Sequence, residues 1–230
     1  MTAIRGARER ARAEVTAAIK DEARRQLVAE GAAKLSLRAV ARELGMVSSA
    51  LYRYFPSRDA LLTALIIDAF DAVGEAAEQA LAASLPAAPA DRCVMVCRAV
   101  RDWALAHPHE YALVFGSPVP GYSAPEATVG PASRVGRALI AVIADARADG
   151  VFPVPEPPPA PEELVRDGER IRDRIGAGLP APVVVEAAAV WAELFGLIGF
   201  EVFGRFDGMI EARDAFFDRA VTRLAHSVGL

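Results

Sequence analysis

Between Ser36 and Pro56 the chain carries two apolar repeats, each too short to stand as a helix by itself, with a glycine between them. The first repeat, Leu37, Val40, Ala41 and Leu44, falls at i, i+3, i+4 and i+7. Ser36 stands where an N-cap side chain belongs, and Gly45 where a left-handed residue closes a helix. The second repeat spans Ser48 to Phe55 and is stopped by Pro56. Upstream, Val15, Ile19, Ala23 and Leu27 step by four toward Gly31, which predicts a first helix ending there. Segments this short are stable only against one another, and two short helices joined by a glycine-containing turn have the form of a helix-turn-helix. Leu51 and Phe55, one turn apart, are expected to pack inward, which leaves Ser48, Ser49, Tyr52 and Arg53 on a different stripe. Such a pair can be a packing unit or a reader of DNA, and periodicity does not separate the two.

The rest of the chain also reads as helix. Ser57 caps a long apolar run expected to reach Leu81. Further helices are predicted over Asp91 to Ala106, from Pro108, and over Arg134 to Ala148. A charged segment, 162–174, has helical composition, and two final helices are expected at 183–205 and 209–227. Residues 84–90 and 116–127 read as loops, and the prolines of 151–161 predict an extended, mobile connection. No strand pattern is evident. The stretch from Val183 to Phe203 has the length of a bilayer span, but Glu186, Glu193 and Glu201 share one stripe of it, at a cost of a few kcal/mol each in lipid. A buried bundle helix or a subunit contact is the expectation, with no membrane partner. The N-terminus carries Arg5, Arg8, Arg10 and Arg12 with no apolar run behind them, so no secretory signal is expected and a cytoplasmic location is.

A net charge of −4 is unexpected for a nucleic-acid binder until it is divided along the chain. Residues 1–60 hold twelve Lys/Arg against seven Asp/Glu, a net +5, and the remainder is −9. A basic head suits phosphate, and an acidic body is repelled by it. Arg53 can give two hydrogen bonds to guanine, the serine hydroxyls can reach bases or phosphate, and Ala50 can touch a thymine methyl. Tyr54 and Arg58 suit phosphates, with Arg58 at the N-terminus of the fourth helix.

The residues decide between packing and recognition. LSLRAVARELGMVSSALYRYFPSRDALL closely resembles the DNA-binding signature of the TetR family, in its AcrR-like form. A Ser opens helix two (Ser36). A Leu-Gly-apolar turn follows (Leu44, Gly45, Met46), then small polar residues (Ser48, Ser49), Leu51-Tyr52, Arg53-Tyr54, Phe55 and a capped start to helix four (Ser57, Arg58, Asp59). The likeness covers residues 12–65. Arg58 replaces the usual Lys and Tyr54 the common His, both still able to bind phosphate. The resemblance implies that Arg38, Ser48, Ser49, Ala50, Tyr52 and Arg53 face bases and that Ser36, Tyr54 and Arg58 face the backbone. The later sequence, from His107-Pro108 through Tyr122 and from Trp191 to the Gly199–Gly204 run, is similar to the WHG-type ligand-binding domain of that family.

The resemblance implies an all-α protein. Its N-terminal three-helix DNA-binding domain would occupy residues 1–56, and a larger helical domain for effector binding and dimerisation residues 57–230. The expected function is that of a homodimeric repressor pairing through residues 183–227 on an inverted-repeat operator and released by a small hydrophobic ligand. An activator or ligand-independent regulator is the alternative, and a helical enzyme without DNA binding a remoter one. The effector would meet Trp103, Tyr111, Phe115, Tyr122, Trp191 and Phe195, with Glu193 as a polar contact. Three histidines, His107, His109 and His226, are ill spaced for a metal, and no nucleophile elbow or phosphate loop is present, so neither cofactor, metal nor enzymatic activity is expected. Cys93 and Cys97, four apart on a helix, read as buried reduced thiols.

Overall fold

The computed structural model of the chain describes residues 2–148, 150, 160–175 and 178–230. Among the described residues are eleven α-helices and no strand. In chain order these are α1 (Thr2–Glu30), α2 (Leu37–Glu43), α3 (Ser48–Leu51), α4 (Arg58–Ala83), α5 (Pro89–Ala106), α6 (Pro108–Phe115), α7 (Val129–Ala132), α8 (Arg134–Ala148), α9 (Glu162–Ile175), α10 (Ala181–Val202) and α11 (Arg213–Ser227). The chain divides into two compact units, one of residues 1–69 and 109–128, the other of residues 70–108 and 129–230. Helix α4 therefore supplies residues to both.

Local signals set most helix ends. Ser36 is extended and its hydroxyl accepts from the Ala39 N–H, and the Ser57 hydroxyl accepts from the Ala60 N–H at 3.0 Å. Gly45 has φ +63°, and the two bonds around it, Gly45 N–H to Arg42 O and Met46 N–H to Ala41 O, close α2 in a Schellman turn. Helix α3 is shorter than the expected Ser48–Phe55. The Leu51 carbonyl accepts from both Tyr54 and Phe55, so the chain tightens after one α-turn, as suits the residue before Pro56. The last two helices also shift from 183–205 and 209–227. Gly204 (φ +68°) ends α10 in a second Schellman turn, and Gly208 (φ +72°) holds the chain in turns until Arg213. The proline-rich expectation falls largely on residues 151–159, outside the described residues.

In the first unit, Ile19 and Ala23 of α1, Val40 of α2, Leu51 of α3, and Leu61 and Leu62 of α4 are fully buried. In the second, α10 packs on α5, α8, α9 and α11, and α5 also packs on α8 and α11. Its core is Val96, Val100, Val142, Leu194, Ile198 and Val221. Cys93 and Cys97 lie in it as free, buried thiols, and the neighbouring Cys93 together with burial pushes the Cys97 thiol up, away from the reactive thiolate. Helix α10 is long and apolar enough to cross a membrane, yet its Glu201 is buried in this bundle against Arg101.

Helices α4 and α8 approach closely at Gly74. A Cβ there would lie 2.6 Å from Arg134 Cβ. Arg134 reaches past the glycine to the carboxylates of Asp71 (2.8 Å) and Glu78 (2.6 Å), and it holds the Glu78 carboxyl below its ordinary range. Gly74→Ala should therefore lower stability by about 1–2 kcal/mol. The steric cost of overpacking exceeds the gain of roughly 1 kcal/mol in helix propensity. An unchanged or higher urea midpoint would mean that α8 yields freely.

Candidate nucleic-acid interface

The site begins with how α3 is held. Leu51 is fully buried and Phe55 nearly so, while Ser48, Ser49, Tyr52 and Arg53 are exposed on the other side of the turn. Ala50 and Tyr54 are half-buried. Arg38 of α2 is exposed as well, so two short helices present polar and cationic side chains on a rigid apolar backing. This arrangement can lay hydroxyl and guanidinium donors along a groove edge while the backing fixes their register.

Three residues placed at the backbone by sequence have further roles within the fold. Ser36 caps α2, and its own N–H donates to the Gln26 side-chain oxygen, which ties the start of α2 to α1. Tyr54 lies beneath the Arg12 guanidinium, 5.2 Å from carbon to ring centroid, and Arg12 Nη2 is 3.5 Å from the Arg53 carbonyl. Arg58 donates from Nε to Leu35 O (3.2 Å) and from Nη2 to Ala32 O (2.8 Å) and Ala33 O (3.2 Å), with Nη1 3.4 Å from Asp59. It thus clamps the turn between α1 and α2 to the start of α4. Sequence reasoning missed this clamp and Arg12. The one signal for Arg12 was a cation four residues before Thr16 on the face that leads into Ile19.

The seven residues proposed for an effector are divided between the units. In the first, Tyr111 is buried with its ring 5.1 Å from Phe115, and the Tyr122 hydroxyl is hydrogen-bonded to Thr63 at 2.9 Å. In the second, Trp103 is buried and stacked on His107, and Trp191 is partly exposed with its ring 5.1 Å from Phe195. Glu193 is exposed, and two residues along a helix place it about 200° from Trp191.

Residues 19–65 match the family model described as bacterial regulatory proteins, tetR family. Residues 93–224 match that of the tetracyclin repressor-like C-terminal domain. An HTH-type transcriptional regulator of Mycobacterium tuberculosis is 42% identical over 225 residues, covering 97% of this chain and 95% of the relative, and one of Mycobacterium bovis matches to the same extent. The crystal structure of a candidate regulatory protein designated SCO4313 superposes with a TM-score of 0.76 at 34% identity, over 94% of this chain and 97% of that one. A TetR family transcriptional regulator of Thermus thermophilus, PfmR, superposes at 0.58 over 90% of this chain and 96% of that one, with 20% identity, a likeness of fold alone.

Proposed function

Because the chain belongs to the TetR family of bacterial transcriptional regulators, we propose that it works as a homodimeric, cytoplasmic repressor that reads an inverted-repeat operator through α3 and is released by a small hydrophobic ligand. The observation that carries the DNA part is the exposed stripe of Ser48, Ser49, Tyr52 and Arg53 on the buried backing of Leu51 and Phe55. Arg38, Ala50 and this stripe meet bases, and Ser36, Tyr54 and Arg58 stand at the phosphates, with the DNA-binding part ending near residue 56. For pairing, α10 carries an outward row of Ala189, Ala192, Gly196 and Phe200, continued by Phe203 at its C-cap, which recur every three or four residues as a helix seam requires. Phe217 does not belong to that row: it is buried beneath Arg101, 5.0 Å from guanidinium carbon to ring centroid. The effector reading is supported by the match of residues 93–224 to the tetracyclin repressor-like C-terminal domain. Helix α4, which contributes to both units, is the natural lever.

Base and backbone contacts are separable by titration on a duplex recovered by selection from a random library. Arg53→Ala should cost about 1–3 kcal/mol at one base pair per half-site and relax the preference there. Arg58→Ala should weaken selected and random duplexes alike. Since Arg58 also ties three carbonyls, it should lower thermal stability as well. Equal affinity of the unaltered protein for selected and random duplexes would sink the reading.

A further inference from the structure

The face of α1 that is buried in the first unit changes character toward the start of the helix. At about 100° per residue, Arg8, Arg12, Ile19 and Ala23 fall within about 60° of arc. Ile19 and Ala23 are fully buried, whereas Arg8 and Arg12 are exposed. Neither cation is drawn into an ion pair by the nearby carboxylates. Glu9 stands three residues before Arg12 and beside it on the helix surface, Glu14 and Asp21 face the opposite way, and no ion pair joins any described carboxylate to Arg8 or Arg12. Arg12 is fixed at the recognition turn by the Tyr54 ring and the Arg53 carbonyl, and Arg8 follows one turn, about 6 Å, further out.

We propose that this stripe is a second DNA-contacting element, with Arg8 and Arg12 on the phosphates flanking the half-site that α3 reads. The inference rests on the DNA-binding reading above and extends it to a surface outside the helix-turn-helix. A guanidinium without a carboxylate partner, held on a helix face continuous with the recognition turn, meets the next phosphates along the strand once α3 enters the groove. Such contacts position the protein and carry no base preference, so they add to affinity on every duplex. Arg10, on the opposite side of α1, is outside the contact.

The test is anisotropy titration of the full-length protein between 50 and 200 mM salt, on the duplex recovered by selection and on a random duplex of equal length. Each lost phosphate contact should make the slope of log K against log salt shallower by about 0.9 per head. Arg8→Gln should therefore fall about 3.5-fold less in affinity per head across this fourfold salt range, and Arg8→Gln with Arg12→Gln about twelvefold less. Arg8→Lys and Arg10→Gln should keep the original slope, and the change at Arg8 should be equal on both duplexes. An unchanged slope for Arg8→Gln overturns the proposal, as does an equal loss for Arg10→Gln, which would mean diffuse charge. If the unaltered protein prefers no duplex, the operator reading fails separately, and the random duplex still decides Arg8.

Discussion

Glu201→Ala should destabilise the protein by about 3–5 kcal/mol, the cost of leaving one member of a buried ion pair alone. Glu201 and Arg101 are 8% and 7% exposed, and they meet in two parallel bonds, Nε to Oε2 at 2.7 Å and Nη2 to Oε1 at 2.8 Å. Nη2 also reaches Asp214 at 2.8 Å, but that carboxylate is 90% exposed and water competes for it. Glu201, with Asp214 as a lesser partner, raises the Arg101 pKa further above its ordinary value, so the guanidinium stays charged at every pH at which the protein folds. Removing Glu201 therefore leaves the cation among α5, α10 and α11 with only the solvated Asp214 carboxylate and the Phe217 ring. In a chain of this length the midpoint of thermal unfolding should fall by roughly 6–20 °C at fixed protein concentration. Replacing both partners together, Arg101→Met with Glu201→Leu, should restore most of the loss. A single variant within 1 kcal/mol of the original would show that the pair is solvated.

That pair also marks how far the sequence is legible. Signals confined to a few residues were readable in advance: the Ser36 cap, the left-handed Gly45, the stop at Pro56 and the inward Leu51 and Phe55 are each local physics. Partners far apart in the chain were not. The stripe of Glu186, Glu193 and Glu201 argued against lipid, but only the fold separates buried Glu201 from exposed Glu193, because the partner that permits burial lies 100 residues away on α5. Arg58 reads in the sequence only as a phosphate ligand, and the fold alone adds that its guanidinium also ties the carbonyls of Ala32, Ala33 and Leu35. Phe217 lies within the stretch expected to pair, 183–227, and only packing turns it inward. The signature residues of α2 and α3 were legible as a set because each has a fixed local task, whereas the aromatics of the body have none and their grouping depends on tertiary contacts.

The outward row on α10 leads to the largest functional effect. Gly196 is exposed in the centre of the row, and a Cβ built there meets nothing within 4 Å, so a side chain at this position fits the single chain. Replacing a mid-helix glycine also favours the helix by up to about 1 kcal/mol. Gly196→Glu should therefore leave each protomer folded while placing two carboxylates across a two-fold seam, where they meet without partners. Light scattering should then change from a dimer to a monomer. A duplex bound at 1 nM corresponds to about −12.3 kcal/mol, and a lone head that keeps half of it binds in the range of tens of micromolar, a loss of about four orders of magnitude. Circular dichroism and thermal unfolding distinguish this outcome from simple misfolding, since helical content should be retained. A Gly196→Glu protein that remains dimeric with full operator affinity would move the seam off this face of α10, and a monomeric unaltered protein at micromolar concentration would end the dimer proposal altogether.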